Sequence, residues 1–117
     1  MKVLLIDPPE LFLQGAGHTR QVQPLGLAYV GGAIADLASV RFLLPDTRPF
    51  VGADPWAELV RTVLAEAPDL IGFTAVTATF PAAARFATEL RAVLPNVPMV
   101  LGGVHASTDP VGALAGA

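Results

Sequence analysis

The chain has 117 residues, of which 53% are apolar and 15% charged, with a net charge of −3. That size supports one domain around one core, and the apolar share excludes a disordered chain. Scattered Lys and Arg residues argue against nucleic acid as a partner. The absence of cysteine rules out a disulfide, a thiolate metal site, a Cys nucleophile and an iron–sulfur cluster held by these residues.

The elements follow in alternation. Val3 to Ile6 is a continuous apolar run closed by Asp7-Pro8-Pro9, the pattern of a buried strand stopped by prolines. It reads as a first strand and not as a signal peptide, since no cleavable small-residue site follows. Residues 10–22 read as a loop. Pro24 suits a first helical turn, and Leu25 to Ala38 is apolar nearly all round, which predicts a buried helix with Tyr29 in the core. Val40 to Leu44 is the second strand.

Asp54-Pro55 caps a second helix, whose stripe of Trp56, Leu59, Val60, Val63 and Leu64 fits one buried face. Leu70 to Phe73 is the third strand. A third helix follows with Ala83, Phe86, Ala87, Leu90 and Leu94 on its buried side. Val97 to Leu101 is the fourth strand, broken by Gly102-Gly103, and Asp109-Pro110 opens another helix. No apolar run approaches a membrane span, and the whole fits a cytoplasmic protein.

Strands buried on both faces and joined by helices predict a doubly wound parallel α/β sheet with right-handed crossovers. Flavodoxin-like sheets run in the order 2-1-3-4-5. Residues 1–117 form one α/β domain with four predicted strands, so the fifth strand–helix unit is missing and strand four is an open edge. The expectation is a truncated domain, or an edge covered by another polypeptide or a second copy.

In such sheets ligands bind outside the carboxyl ends of the strands. Three segments there carry unusual residues: Gln21 to Gly26, Thr74 to Thr79, and Gly102 to Ser107. Glycine lets backbone approach a bulky group, and hydroxyls supply neutral hydrogen bonds. Thr79 reads as a helix cap ahead of Pro81. His105 lacks a second ligand at metal spacing and reads as a loop hydrogen-bonding residue, at most touching a cofactor's periphery. His18 reads as a solvated loop residue, Asp7 as a turn cap and Trp56 as core. No G-x-G-x-x-G follows the first strand, which weakens a dinucleotide site. A phosphorelay receiver is also disfavoured, because Thr74 stands where the third strand would end in Asp.

The same three segments resemble the cobalamin-binding domain family, whose motif reads D-x-H-x-x-G, then S-x-L, then G-G. Gly26 takes the motif glycine, Gln21 the Asp position and Gln23 the His position. Thr74-Ala75-Val76 falls at S-x-L and Gly102-Gly103 at G-G. Pro8-Pro9, the run Pro24-Leu25-Gly26-Leu27-Ala28-Tyr29 and the run Leu101 to Ala106 are similar to the N-terminal domain of B12-dependent radical SAM enzymes. The resemblance covers nearly the whole chain. It implies a flavodoxin-like fold binding cobalamin base-off, with Gln23 replacing the lower histidine. The corrin would lie near Pro8, Pro9 and Gln23, and the tail would run past Thr74, Val76 and Gly102-Gly103. Pro24, Gly26, Leu27, Thr77 and His105 complete the implied contacts.

In that family S-adenosylmethionine and a [4Fe-4S] cluster belong to a following radical SAM domain. The chain therefore reads as the cofactor-holding part of a methyltransferase-like radical enzyme and not as a catalyst alone. The alternative from a different class is a non-catalytic α/β domain, or homo-oligomer, that associates through the strand-four edge.

Overall fold

The computed structural model describes residues 1–7, 25–43, 55–75 and 80–115. Four parallel strands form one sheet in the order β2-β1-β3-β4, the first four places of a flavodoxin-like sheet. They are β1 (Lys2–Ile6), β2 (Ser39–Leu43), β3 (Leu70–Thr74) and β4 (Met99–Gly102). The helices are α1 (Leu25–Ile34), α2 (Pro55–Glu66), α3 (Phe80–Val93), α4 (Val104–Thr108) and α5 (Pro110–Ala115). Each strand sits within a residue or two of its sequence reading. The short α4 was not expected, because Gly102-Gly103 read as the start of a loop.

Side chains alternate across a strand, so β1 divides its apolar residues between two cores. Leu4 and Ile6 join Ile71, Phe73, Val63, Phe86 and Leu90 beneath α2 and α3. Val3 and Leu5 pack with Leu27 of α1 on the opposite face. The larger core is keyed by aromatic edges. The Phe86 ring meets Trp56 at 5.9 Å and Phe73 at 6.0 Å, both edge-to-face. Trp56 is partly buried against this core, as its stripe predicted, and Arg85 lies over its ring at 4.8 Å.

Helix α1 departs from its sequence reading. It is not buried all round: Tyr29 is 78% exposed and Val30 51%. The helix lies as an outer layer over one side of the sheet, so only the stripe carrying Leu27 and Ile34 meets strands. Apolar composition alone could not tell a two-sided from a one-sided burial.

The chain reversals that carry the strands to one end are held locally. Ala67, at a φ of 49°, ends α2 ahead of Pro68. The Arg91 guanidinium donates to the carbonyls of Leu94, Pro95 and Val97, bracing the turn from α3 into β4. At the opposite end from the carboxyl rim, Glu66 Oε2 lies 3.0 Å from Lys2 Nζ and 3.4 Å from Arg41 Nε, joining α2 to β1 and β2. The hydrogen bond from Lys2, then the positive charges of Lys2 and Arg41, hold the Glu66 carboxyl below its usual range despite some desolvation.

Candidate functional site at the carboxyl rim of the sheet

The strand register decides which residues share the carboxyl rim. Leu5 pairs with Gly72, and Gly72 with Val100, making one row across β1, β3 and β4. Two residues further on, Thr74 pairs with Gly102. Asp7 continues β1 one step beyond the Ile6–Phe73 pair, with its N–H donating to Leu43 O at 3.1 Å. Asp7, Thr74 and Gly102 therefore form the last row. By alternation this row lies on the α1 side with Val3 and Leu5.

That side of the sheet is low ground over β3 and β4. Helix α1 covers Val3 and Leu5, whereas Val100 is 55% exposed and Thr74 and Gly102 are half-buried. Gly72 and Gly102 contribute no side chain at all. Among the described residues, a Cβ on Gly102 would meet nothing closer than Phe73 O at 3.9 Å. What remains is a shallow channel over Gly102, beside Thr74; over Gly72 the Leu5 side chain already leans in, 2.9 Å from where a Cβ would stand.

Gly103 closes the mouth. Its φ of +93° is a conformation that side chains disfavour, and it turns the chain from β4 into α4. A Cβ there would lie 2.7 Å from Thr74 Oγ1, 2.9 Å from Ala75 O and 3.0 Å from Ala75 N. Ala75 N–H donates to Gly102 O at 3.3 Å, and Ser107 N–H donates to Gly103 O at 3.1 Å. The glycine pair, the Thr74 hydroxyl and the β3 carboxyl end are thus held as one packed unit.

The structure brings Thr74, Gly102 and Gly103 together as the sequence suggested. Gly26 is exposed in the first turn of α1, and Leu27 is buried beneath it against Val3 and Leu5. His105 lies on α4. Pro8, Pro9, Gln23, Pro24, Val76, Thr77, His18 and Thr79 fall outside the described residues. Two residues of these cross-strand rows, Gly72 and Asp7, were not among the expected site residues. Gly72 had a usable signal, an isolated glycine inside a strand. Asp7 had none beyond its place after the first strand, and its 6% exposure emerges only on folding.

A second concavity, of about 410 Å³, lies on the other face between α3, β4 and α5, lined by Phe73, Phe80, Ala83, Met99 and Ala113. Its walls are apolar, so it lacks the convergent polar groups that orient a ligand. Among the described residues no group of three or more His, Cys, Asp or Glu is placed to hold a metal ion, and no helix is long and apolar enough to cross a membrane.

Residues 18–117 match the model of the family described as B12 binding domain. The chain is also similar to the anaerobic magnesium-protoporphyrin IX monomethyl ester cyclase of Synechocystis sp., at 33% identity over 107 residues. That alignment takes in 89% of this chain and 21% of the relative, so the chain spans about a fifth of that protein's length.

Proposed function

Since the chain belongs to the B12-binding domain family, we propose that it is the cobalamin-holding module of a larger B12-dependent radical SAM protein. The observation that carries this is the coincidence of Thr74, Gly102 and Gly103 at one rim, where Gly102 puts no side chain on the sheet surface. A cofactor with a flat macrocycle and a trailing nucleotide needs an open rim for the ring and a narrow apolar channel for the tail. The residues present fit that group: bare backbone at Gly102, an apolar wall from Leu5 and Leu27, and a hydroxyl at Thr74.

Under this reading Thr74, Val76, Gly102 and Gly103 line the tail, and Thr77 and His105 meet the cofactor's periphery. Pro8, Pro9, Gln23, Pro24 and Gly26 face the macrocycle, with Leu27 packed below. Bound cobalamin supplies a cobalt centre able to carry and pass on a one-carbon group or an electron. The chain's own task is to hold the cofactor base-off. Gln23 is an amide and a poor cobalt ligand compared with imidazole, which supports a lower face without a protein histidine.

S-adenosylmethionine and the [4Fe-4S] cluster belong, on this reading, to a domain outside these 117 residues, because a chain without cysteine offers no thiolates to a cluster. The whole protein is then a cytoplasmic radical enzyme. A methyltransferase-like reaction is one outcome. The cyclase relative favours a second, ring formation on a large planar substrate. Product mass separates them, because methylation adds a carbon and ring closure does not.

Reconstitution with hydroxocobalamin, followed by desalting, tests the module. Retained corrin absorbance with a base-off spectrum that Gln23→Ala leaves unchanged is the expected result. A folded protein that retains no corrin would overturn the reading. The competing role, association through β4, draws on the 55% exposure of Val100 at the sheet edge. Light scattering decides it: a monomer without cofactor removes that reading.

A further inference from the structure

We infer that Val100 is a specificity-determining residue for the cofactor's tail: its uncovered side chain is the floor on which the tail's base rests, and it selects an apolar benzimidazole base over a purine. The inference rests on the cobalamin reading and deepens it by naming the kind of cobamide the site takes.

Strand register fixes the side of the sheet on which Val100 lies. Val100 shares a cross-strand row with Leu5 and Gly72, two residues before the row of Thr74 and Gly102. Alternation puts both rows on the α1 side, with Val100 about 7 Å from Gly102 along β4. Helix α1 packs on Leu5, and Leu5 in turn leans across Gly72, to 2.9 Å from where a Cβ would stand. Val100 is the side chain of this row that stays uncovered, at 55% exposure. A group that enters beside Thr74 and passes the bare backbone of Gly102 therefore comes next onto Val100.

The surroundings set what that group can be. Below the row of Thr74 and Gly102, the described strand side chains on this side are Val3, Leu5, Leu70 and Val100, and α1 adds Leu27. Helix α1 contains no acidic or basic residue, and its Tyr29 is 78% exposed on the outer side. Among the described residues, none of these side chains facing the sheet can donate or accept a hydrogen bond. Dimethylbenzimidazole presents flat apolar surface and gains by burial against Val100. Adenine carries an exocyclic amine and additional ring nitrogens, which give up water there and find no side-chain partner.

Titration of the apo chain with three corrinoids tests this: cobalamin, the cobamide with adenine as its base, and cobinamide, which has no nucleotide tail. Wild type should bind cobalamin about tenfold more tightly than the adenine form, the scale of one buried polar group left unpaired. Val100→Thr keeps the side chain's shape and adds a hydroxyl, so that ratio should shrink by about threefold or more. Val100→Phe fills the channel, so both tailed corrinoids should bind about tenfold more weakly. Cobinamide affinity should stay within about twofold of wild type in both variants, because the change lies under the tail. The apo melting temperature of Val100→Thr should stay within about 3 °C of wild type, since the residue is half-exposed.

Equal wild-type affinity for the two tailed forms, an unchanged ratio in Val100→Thr, or a loss of cobinamide affinity in Val100→Phe that matches the loss of cobalamin overturns the inference and leaves the cobalamin reading standing. A Val100→Thr chain whose oligomeric state changes while its affinities do not also overturns it, and assigns Val100 to association at β4. No binding of any corrinoid by wild type overturns the cobalamin reading itself, and the inference with it.

Discussion

Replacing each glycine of the Gly102-Gly103 pair by alanine should separate folding from binding at adjacent positions. Gly103→Ala puts a Cβ 2.9–3.0 Å from two backbone atoms of Ala75 and 2.7 Å from Thr74 Oγ1. Backbone cannot swing aside as a flexible side chain can. The φ of +93° also has to be kept by a residue that disfavours it. A left-handed conformation costs roughly 1–2 kcal/mol, and overpacking typically about 1–3 kcal/mol more. The expected loss is therefore about 2–5 kcal/mol, a large part of the roughly 5–15 kcal/mol that holds a domain folded. Gly102→Ala meets no atom of the described residues closer than 3.9 Å, so its apo stability should stay within about 1 kcal/mol of wild type, or rise slightly as strand glycine is removed. Its methyl group projects into the channel, so cobalamin affinity should fall. Urea denaturation of the apo proteins measures the first quantity and corrin titration the second. Equal stability of Gly103→Ala and wild type would refute the packing argument. Unaltered cobalamin affinity in Gly102→Ala would refute the channel.

Phe86→Ala removes a fully buried ring with two edge-to-face partners, and should cost about 3–5 kcal/mol in urea denaturation. Tyr29→Ser on the outer side of α1 should change stability by only about 0.5 kcal/mol or less, since the side chain is 78% exposed; a core-sized loss would restore the buried-helix reading. Glu66 carries a pH dependence of defined sign. Its carboxyl titrates lower in the fold than in the unfolded chain, so its contribution is complete above the unfolded value and disappears as pH falls through the lowered one. The urea-midpoint difference between wild type and Glu66→Gln should therefore shrink steadily through the acidic carboxylate range, and a difference that grows on acidification would contradict the assignment.

Local pattern was enough for the elements and their order. The apolar runs at Val3–Ile6 and Leu70–Phe73, short and bounded by Asp and Pro residues, read as strands, and the 3.6-residue stripes of Trp56–Val63 and Ala83–Leu90 mark the faces that α2 and α3 bury. Strands alternating with helices then leave few topologies open. The rim segments at Thr74 and Gly102-Gly103 were also legible, because glycine and threonine at strand ends stand out from an apolar background.

What the sequence determined by itself was a doubly wound sheet with unusual residues at its carboxyl ends. The register and the faces came from tertiary structure alone. Only strand pairing places Gly72 beside Leu5 and Val100, and so explains a mid-strand glycine, since a Cβ there would lie 2.9 Å from Leu5 Cδ2. Only the sheet's layering exposes Tyr29 on an apolar helix and buries the Asp7 carboxylate at the rim. Periodicity reports which side of an element is apolar. It does not report how many neighbours that element has, and burial depends on the neighbours.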